Sequence, residues 1–575
     1  MKKIPRRYDL LIVGGGPAGA TLGTLVKKYN PSASVAIVEM EDFPRHHVGE
    51  SLLPAVPPIL KEMGVFDKIT SAGFPRKLGG TYVWGRSRTP WTADFEGLTA
   101  EQRLWMNWDK LDSAAYSWQV HRAKYDHILL EHARERGVEI VRGRAESVLE
   151  SGSRITGAKV TLAGGPAVEL SSRLLADCSG QRGFLSKFRL VREFDARLQN
   201  VAMYAYFRGA PWRTKFIGHP DKTRIFICSV NHGWFWYIPI GKDIVSVGLV
   251  TTGGYLRKNE IKDLRAFFAR EIKACPEIGS LLKNAEWVGN FDSTGKDFFT
   301  VKDWSYLCRQ AAGPGWLAAG DAAVFVDPVF SSGVTIAHLS AQRAAYSVTR
   351  IRAGASAALE QALWKDYSAY SRDCASAFLI MALYWYGNDK SQRGLWKKAQ
   401  GMYQSRLPQA LSDFNAYIAV ISGALASSDR VLGFDLGNHR SENFLNNICE
   451  AAPVSKIEAL LKKEISDDVV PKLRHPYAAE IAFIPDPKSG SLKDAVRIKF
   501  FKHKKTDSLS DVLNPRMIVN AIALALIKTI DGNRSFGIIK AELASRYRID
   551  EKYLAIESTR VLRQLLIWDV LKLEF

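Results

Sequence analysis

Apolar residues near the start of the chain form two short continuous runs, each of the length of a buried strand. The first is Tyr8–Val13 and the second is Ser34–Val38. Between them, a cluster of glycines precedes Ala20–Lys28, whose pattern is typical of a helix. The pattern therefore predicts a strand, a glycine turn, a helix and a second strand that pairs in parallel with the first.

The glycine turn has the spacing of a loop that binds the phosphates of a dinucleotide. Gly14 makes the tight turn, Gly16 lets the backbone approach a pyrophosphate, and Gly19 lets the helix pack closely on the strand. Glu39 ends the second strand, where its carboxylate can accept hydrogen bonds from two ribose hydroxyls. The cofactor-binding candidates of this unit are Gly14, Gly16, Pro17, Ala18, Gly19 and Glu39.

A second glycine-containing element lies far downstream, where an apolar strand runs into Gly320-Asp321. Here the chain resembles FAD-dependent monooxygenases and related flavoproteins, in which such a pair lies beside the flavin ribityl and pyrophosphate groups. Val120–Arg122 and Asp177–Gly180 resemble two further motifs of that family, in the same order along the chain. The resemblance implies FAD as the cofactor, with Arg122, Gly320 and Asp321 among its contacts.

An aromatic segment, Gly233–Pro239, distinguishes this chain from most flavoproteins. From the residues alone it predicts a core strand in which Trp234 and Trp236 share one face. The segment also fits the W-x-W-x-I-P signature of flavin-dependent halogenases, and Lys77 lies in a stretch similar to the one that carries their essential lysine. The resemblance spans about residues 8–345 and implies that the tryptophans separate substrate from flavin and that Lys77 is catalytic. The segments around Arg45 and Glu50 also match the halogenase pattern, which implies that Arg45 binds FAD.

The turn after Asp327 reads D-P-V-F-S-S-G, and a helix is predicted to start at about Val334. In halogenases the similar turn supplies backbone amides to the halide, which makes Ser332 and Gly333 the halide-binding candidates; a helix N-terminus also favours an anion. Phe330 departs from halogenases of free tryptophan, which have a glutamate there. The turn looks closer to halogenases of phenols, pyrroles and carrier-bound acyl groups, whose electron-rich rings need less activation.

The resemblance implies a halogenase that uses FAD as FADH2, O2 and chloride to chlorinate, or brominate, an electron-rich substrate in secondary metabolism. Hypochlorous acid would travel through a closed passage to Lys77, and the substrate would be a small molecule or an acyl-carrier-bound group. Only one nucleotide-binding fingerprint is present, so electrons are expected from a separate NAD(P)H-dependent flavin reductase. The alternatives are a flavin-dependent hydroxylase or a polyprenyl-type reductase on the same scaffold, and a flavin-binding regulator that contacts DNA.

Beyond residue 345 the flavin motifs end. Tyr346–Asp373 and Ala375–Gly387 are predicted helices, and the aromatic residues of the second would either roof a substrate site or pack in the core. Ala479–Phe483 and Val496–Phe500 alternate in polarity around turn residues, which predicts a hairpin. The basic patch predicted beside it, suited to an acidic carrier protein, comprises Lys499, Lys502, Lys504 and Lys505.

The last sixty or so residues have their own pattern. Pro515–Ile530 is predicted as a helix, because asparagine and proline precede an apolar run. Helices over Ile538–Tyr547 and Leu554–Leu566 and a strand over Val570–Phe575 follow. This order resembles a small winged-helix unit of the kind that binds peptides. The segment lacks an arginine-rich recognition helix, so a docking or structural role is favoured and no nucleic-acid partner is expected.

Composition narrows the class of protein. The 575 residues are 47% hydrophobic and 24% charged, which is typical of a globular chain, and the net charge of +20 favours anionic partners without choosing one. The six scattered cysteines form no CxxC pair, so neither a disulfide framework nor a thiolate metal site is expected. The apolar runs are shorter than the ~18 residues of a membrane span. The glycines near the N-terminus do not fit a signal peptide, so we expect a cytoplasmic protein without a membrane span.

The predicted fold class is α/β with α+β character: a Rossmann-type FAD-binding domain with an antiparallel substrate sheet, and a largely helical C-terminal region. Residues 1–345 are expected to form the FAD-binding core, with cofactor elements at 8–185 and 310–345 and the substrate sheet at 190–300. Residues 346–510 would form a helical and hairpin region, and residues 511–575 the winged-helix-like unit.

Overall fold

The computed structural model describes residues 7–84, 88–98, 103, 108, 111, 115–212, 222–288, 294–387, 394, 399, 413–423, 459, 462–486, 491–501, 516–519 and 521–574. The chain divides into two compact units, the first comprising Met1–Gly394 with Ile418–Ser427 and the second Leu395–Tyr417 with Ser428–Phe575. The three-part division at residues 345 and 510 stays a prediction. Within the described ranges, no helix combines the length and the apolar character needed to cross a membrane.

The first unit contains two sheets and the helices that cover them. Its strands are β1 (Arg7–Val13), β2 (Val35–Glu39), β3 (Arg76–Val83), β4 (Trp91–Asp94), β5 (Ser117–Trp118), β6 (Glu139–Ser151), β7 (Arg154–Leu162), β8 (Ala167–Asp177), β9 (Arg192–Arg208), β10 (Lys222–Val230), β11 (Gly233–Pro239), β12 (Ile244–Thr252), β13 (Glu286–Val288), β14 (Phe299–Cys308), β15 (Ala312–Gly313), β16 (Trp316–Ala318) and β17 (Val324–Phe325). Its helices are α1 (Pro17–Tyr29), α2 (Val56–Met63), α3 (Phe66–Ser71), α4 (Arg122–Glu135), α5 (Gly253–Lys258), α6 (Leu264–Ala274), α7 (Pro276–Leu282), α8 (Ser332–Arg352) and α9 (Ala357–Gly387). Short 3-10 turns lie at Phe95–Gly97, Gly180–Arg182, Leu185–Lys187, Gly320–Ala322 and Pro328–Phe330. A further helix, α10 (Asp413–Ile421), contains a boundary between the two units, which falls after Tyr417.

Parallel pairing in the seven-stranded sheet brings together the turns that the sequence singled out. β1 pairs in parallel with β2 and with β8, and β16 pairs in parallel with β8. Because the carboxyl ends of parallel strands meet at one edge, the glycine turn after β1, Glu39 at the end of β2 and Gly320 after β16 converge there. The predicted Rossmann-type arrangement is therefore confirmed.

The second sheet has ten strands and two different faces. β9, β12, β11 and β10 pair antiparallel, as the substrate-sheet prediction requires, and β3 from earlier in the chain joins β10 in parallel. One face packs against α5, α6 and α7 through an apolar cluster that includes Phe226, Phe235 and Phe268. Since side chains alternate along a strand, Trp234 and Trp236 lie on the opposite face.

The two long helices after β17 have bounds that differ from the prediction. The expected helix Tyr346–Asp373 is wrong, because α8 ends at Arg352 and α9 begins at Ala357. Gly354 interrupts the run with a φ of 103°, a conformation that glycine adopts without strain. The expected break between Asp373 and Ala375 is absent, since α9 continues through it to Gly387.

The second unit contains the strands β18 (Val470–Leu473), β19 (Tyr477–Asp486), β20 (Ser491–Phe500), β21 (Arg516–Val519) and β22 (Leu571–Glu574), with the helices α11 (Ala521–Thr529), α12 (Phe536–Tyr547) and α13 (Glu551–Ile567). β19 and β20 pair antiparallel, so the predicted hairpin is confirmed. The single helix predicted over Pro515–Ile530 is wrong, because β21 pairs with β20 and only α11 is helical. The terminal strand β22 pairs with β18, and the winged-helix likeness stays a prediction. Of the predicted lysine patch, Lys499 is buried in β20, and the other three lysines lie outside the described residues.

Candidate functional site

A cavity of about 600 Å³ opens at the convergent edge of the parallel strands and extends to the second sheet. Twelve of the predicted site residues line it: Gly14, Gly16, Pro17, Ala18, Glu39, Arg45, Arg122, Trp234, Trp236, Asp321, Ser332 and Gly333. Gly19, Gly320 and Lys77 do not line it. The structure therefore brings most of the candidates, which are scattered over some 320 positions of the sequence, into one space.

The glycine turn forms a cradle with no room for side chains. Gly14 has a φ of 103°, and a Cβ there would collide with the carbonyl of Cys178. A Cβ at Gly19 would fall on the carbonyl oxygen of Gly14, so only glycine lets α1 start this close to β1. The first turn of α1 has no acidic residue and no side-chain cap, and Gly16 at its start lines the cavity. The first backbone N–H groups of a helix have no acceptor within the helix, so they can donate hydrogen bonds to a phosphate.

Glu39 and Arg45 lie next to this glycine turn. Glu39 is buried, and its carboxylate accepts hydrogen bonds from the backbone N–H of Gly15 at 2.7 Å and of Glu41 at 2.8 Å. These bonds hold the carboxylate in place and leave it acceptor capacity toward ribose hydroxyls. The guanidinium of Arg45 lies 3.3 Å from where a Cβ of Gly16 would be, which sets a positive charge beside the anion cradle.

Arg122 and Asp321 form the next part of the cavity wall. Arg122 donates two hydrogen bonds to the Asp126 carboxylate, at 2.8 and 2.9 Å, and a third to the carbonyl of Val48. The predicted cofactor contact thus also fixes the loop at residues 48–49. Burial raises the pKa of Asp321 to about 6, and within the described ranges no donor is bonded to its carboxylate. A half-buried acceptor that lines the cavity fits a hydroxyl-rich chain such as the ribityl group of FAD, so these residues fit the predicted cofactor.

Gly320 does not line the cavity but allows the elements around it to pack closely. Its φ is 61°, and a Cβ there would lie 3.2 Å from the Cβ atoms of Ala18 and Ala337. Its N–H donates to the Ser340 hydroxyl at 2.9 Å. Gly320 therefore lets α1, α8 and the turn after β16 pack together rather than lining the cavity itself.

The carboxylate of Asp327 holds the turn that precedes α8. Asp327 caps the turn at Pro328–Phe330 by accepting from the N–H of Val329 at 2.9 Å, and its carbonyl lies 3.5 Å from the Ser332 hydroxyl. Ser331 takes the left-handed conformation, with a φ of 57°, and α8 then begins at Ser332 rather than at the predicted Val334. The buried Ser332 and the adjacent Gly333 thus lie at the N-terminus of a long helix, facing the cavity.

Asp327 also joins residues that the sequence reasoning did not assign to the site. It accepts hydrogen bonds from Asn200 at 3.0 Å and from the Tyr386 hydroxyl at 3.2 Å. That hydroxyl in turn accepts from the indole N–H of Trp234 at 2.6 Å. Burial raises the pKa of Asp327 to about 7. The only advance signal for Tyr386 was its place in an aromatic helix segment, which the sequence left open as roof or core.

The tryptophan pair closes the cavity on the side of the second sheet. The ring centroids of Trp234 and Trp236 are 6.1 Å apart, and both residues are buried. Trp236 lies over Gly248 of the next strand, where a Cβ would collide with its ring. The pair therefore forms a fixed aromatic wall, as the strand prediction required.

Further aromatic rings continue this wall. The centroid of Trp84 lies 6.5 Å from that of Trp234 and 4.6 Å from that of Trp385. Phe330 packs edge-on against Trp385, with the ring centroids 5.2 Å apart. The position is therefore filled by an apolar contact rather than by an acid.

Lys77 lies at the start of β3 and is only 2% exposed. Its Nζ lies over the Phe95 ring, 5.6 Å from the ring centroid, and within the described ranges no hydrogen bond to Nζ is present. Burial lowers the pKa of Lys77 to about 7. An unpaired buried ammonium is costly, so the neutral amine is populated near neutral pH.

Strand pairing shows which residues lie beside Lys77. Lys77 pairs with Thr223 of β10, and Ile225, two residues further along β10, lines the cavity. A register shift between Thr223 and Ile225 adds one residue to β3 there, so the alternation of faces is interrupted between Lys77 and the part of the sheet that carries Trp234 and Trp236. Lys77 is thus paired with Thr223, two residues before a cavity-lining position of β10, and does not line the cavity itself.

Comparisons with known proteins agree with this geometry. The family model described as tryptophan halogenase matches residues 9–109 and 99–432. A 1H-pyrrole-2-carbonyl-[peptidyl-carrier protein] chlorinase of Pseudomonas fluorescens is 34% identical over 58% of this chain and 74% of its own length. A tryptophan 2-halogenase of Chondromyces crocatus is 34% identical over 61% of this chain and 63% of its own length.

Solved structures show the same relationship. The myxobacterial chondrochloren halogenase, an FAD-dependent halogenase, superimposes with a TM-score of 0.60 at 30% identity, over 73% of this chain and 98% of that one. The flavin-dependent halogenase CmlS matches with a TM-score of 0.67 over 99% of this chain and 96% of its own, and at 23% identity this likeness concerns the fold alone. The family match covers well over half of the chain, and the chain therefore belongs to the tryptophan halogenase family and is a flavin-dependent halogenase.

Proposed function

We propose that this halogenase transfers an oxidised halogen through Lys77 to a phenolic, pyrrolic or carrier-bound substrate. The observation that carries the proposal is the buried amine of Lys77, which has no hydrogen-bond partner among the described residues and whose pKa burial lowers to about 7. A structural lysine is normally solvated or paired, whereas an amine kept dry near neutral pH is suited to accept a reactive electrophile.

FAD supplies, in its reduced form and with O2, the oxidising power that converts a halide into an electrophile. Gly14, Gly16 and Arg45 would hold its pyrophosphate, and Glu39 its ribose, while Asp321 accepts from the ribityl hydroxyls. The electrons would come from a separate NAD(P)H-dependent flavin reductase. This part of the proposal rests on the single nucleotide-binding turn of the sequence and its place at the sheet edge.

Chloride would bind at the N-terminus of α8, at Ser332 and Gly333. Both residues line the cavity, and the helix start offers backbone N–H groups and a partial positive charge. The hydrogen bond from the Val329 N–H to Asp327 fixes the turn that presents them. Trp234 and Trp236 would keep the organic substrate away from the flavin, so that only a small species reaches Lys77.

The substrate class follows from the rings around Phe330. An apolar residue at this position supplies no acid to polarise the electrophile, so the substrate itself must be electron-rich. The Pseudomonas fluorescens relative acts on a pyrrole-2-carbonyl group held by a peptidyl-carrier protein, which is such a substrate. We extend that chemistry to this chain as part of the proposal, with free phenols and pyrroles as the other members of the class.

The reactivity of Lys77 is expected to rise with pH, with a midpoint near 7. Burial lowers its pKa to about 7, so the neutral, nucleophilic fraction grows from roughly one tenth at pH 6 to roughly nine tenths at pH 8. Reductive methylation with formaldehyde, followed by peptide mass spectrometry, measures this fraction, and the exposed Lys159 serves as internal reference. A midpoint for Lys77 near that of free lysine would contradict the dry, unpaired environment.

The proposed function is tested by product analysis. Purified protein with FAD, a flavin reductase, NADH and chloride is expected to add chlorine to members of a panel of phenols, pyrroles and carrier-bound pyrrole-2-carbonyl groups. Mass spectrometry identifies the product by its chlorine isotope pattern, and bromide in place of chloride tests the halide choice. A hydroxylated product without halogen would favour the hydroxylase alternative, and a reduced product would favour the reductase.

A further inference from the structure

Gln119 occupies a short extended segment that pairs with neighbours on both sides. On one side its N–H donates to the carbonyl of Pro75 at 2.9 Å, and Ser117 pairs with Lys77. On the other side Gln119 forms an antiparallel bridge with Ser51. Three stretches of chain that are far apart in sequence thus lie side by side, and Lys77 is on the first of them.

The pairing places four polar side chains on one face. Directly opposite residues on antiparallel strands share a face, and so do residues two apart on one strand. Lys77 and Ser117 are opposite each other, Ser117 and Gln119 are two apart, and Gln119 and Ser51 are opposite each other. With neighbours about 5–7 Å apart, the row Lys77, Ser117, Gln119 and Ser51 leads away from the lysine. Ser51, at its far end, lines the cavity.

Two members of this row have polar atoms without a partner. Gln119 is fully buried, and within the described ranges neither its amide oxygen nor its amide nitrogen is hydrogen-bonded. The hydroxyl of Ser51, 5% exposed, is also without a partner among the described residues. Ser117, in contrast, donates to the carbonyl of Leu53 at 3.0 Å. Buried polar groups are normally paired, so a donor and an acceptor left open on one amide indicate a small polar guest.

We infer that Gln119 and Ser51 bind hypohalous acid in transit from the cofactor cavity to Lys77. The inference rests on the proposed function. Hypohalous acid is small and neutral, with one O–H donor and oxygen lone pairs, and a primary amide offers both complements. No bond forms or breaks at this position, because the molecule only exchanges hydrogen-bond partners on its way. The amide would keep the oxidant on a path toward the amine and away from the oxidisable rings of Trp234 and Trp236.

The experiment measures where the oxidised halogen goes. Gln119→Leu keeps the volume of the side chain and removes both polar groups, and Ser51→Ala removes the hydroxyl at the cavity end. Each turnover is run with substrate and with monochlorodimedone, an external scavenger of hypohalous acid. We expect the share of halogen found on the scavenger to rise about threefold or more in both variants. This share is expressed per halide oxidised, so a change in FAD affinity or in the rate of O2 consumption does not alter it.

Ser172→Ala is the matched control for Ser51→Ala. Ser172 is also buried with an unpaired hydroxyl among the described residues, but it lies on β8, away from the row. Replacement of Ser172 is expected to leave the share of halogen found on the scavenger at the wild-type value. If the share of halogen on the scavenger were equal in wild type, Gln119→Leu and Ser51→Ala, the inference would be overturned and the halogenase proposal would stay intact. A wild-type enzyme that oxidises no halide at all would overturn both. Should Gln119→Leu fail to fold, Ser51→Ala decides the matter alone.

Discussion

Lys77→Ala is expected to abolish halogenated product while reduced FAD is still oxidised by O2. The residue lies outside the cofactor cavity, so its loss leaves the groups that would bind FAD and halide in place. What is lost is the amine that receives the oxidised halogen, and removal of a positioned reactive side chain typically costs about 100- to 10 000-fold in rate. Product is counted by mass spectrometry, and O2 consumption and peroxide are followed in the same reaction.

The stability of Lys77 variants separates a reactive role from a structural one. A buried amine without a partner in the described structure opposes folding, because the unfolded chain solvates the ammonium. Lys77→Met keeps the apolar stem, so its melting temperature is expected to equal or exceed that of the wild type while halogenation is lost. Such a trade of stability for activity is typical of functional positions. Unchanged halogenation, or a loss explained by a lower melting temperature, would remove Lys77 from the mechanism.

Local patterns predicted the cofactor half of the molecule well. The turn from Gly14 to Gly19 requires glycine for reasons that act within a few residues, so its spacing alone indicated its geometry. The strand with Trp234 and Trp236 was equally visible, because alternation places both rings on one face. The helix predicted over Pro515–Ile530 was wrong because local pattern did not decide the structure there. A short apolar run fits a strand or a helix, and pairing of β21 with β20 decided the outcome.

The remaining site residues depend on contacts across long stretches of chain. Tyr386 is hydrogen-bonded to Trp234, which lies 152 positions away in the sequence. Nothing in the segment around Tyr386 distinguishes a site residue from a core tyrosine. Gln119 precedes a recognised arginine motif, yet its unpaired amide follows only from the bridge to Ser51. Lys77 was found by resemblance, whereas its burial became evident only from the structure.

Asp327→Ala is expected to raise the chloride concentration needed for half-maximal rate about tenfold or more. The carboxylate holds the Val329 N–H and the amide of Asn200, and its removal leaves these buried donors unpaired. Each such loss costs about 1–3 kcal/mol, and the turn that presents Ser332 and Gly333 relaxes to recover it. A change of 1.4 kcal/mol in halide binding is a factor of about ten. Chloride titration of the steady-state rate measures the shift, with FAD affinity recorded separately.

The control for Asp327→Ala is another buried carboxylate of the same unit. Asp366 pairs with Arg343 at 2.6 Å, and Asp366→Ala is expected to lower the melting temperature without changing the chloride dependence. If both variants lose stability and neither changes the chloride dependence, Asp327 is a structural residue only.

Tyr386→Phe separates the halide turn from the tryptophan wall. The variant removes the hydroxyl that links Trp234 to Asp327 and leaves the bonds to Val329 and Asn200 in place. Chloride dependence should therefore stay near the wild-type value, because the turn is still held by the carboxylate. The indole N–H of Trp234 loses its acceptor, so peroxide released per O2 consumed should rise as the wall loosens. If Tyr386→Phe weakened chloride binding as much as Asp327→Ala, the hydroxyl and not the carboxylate would hold the turn.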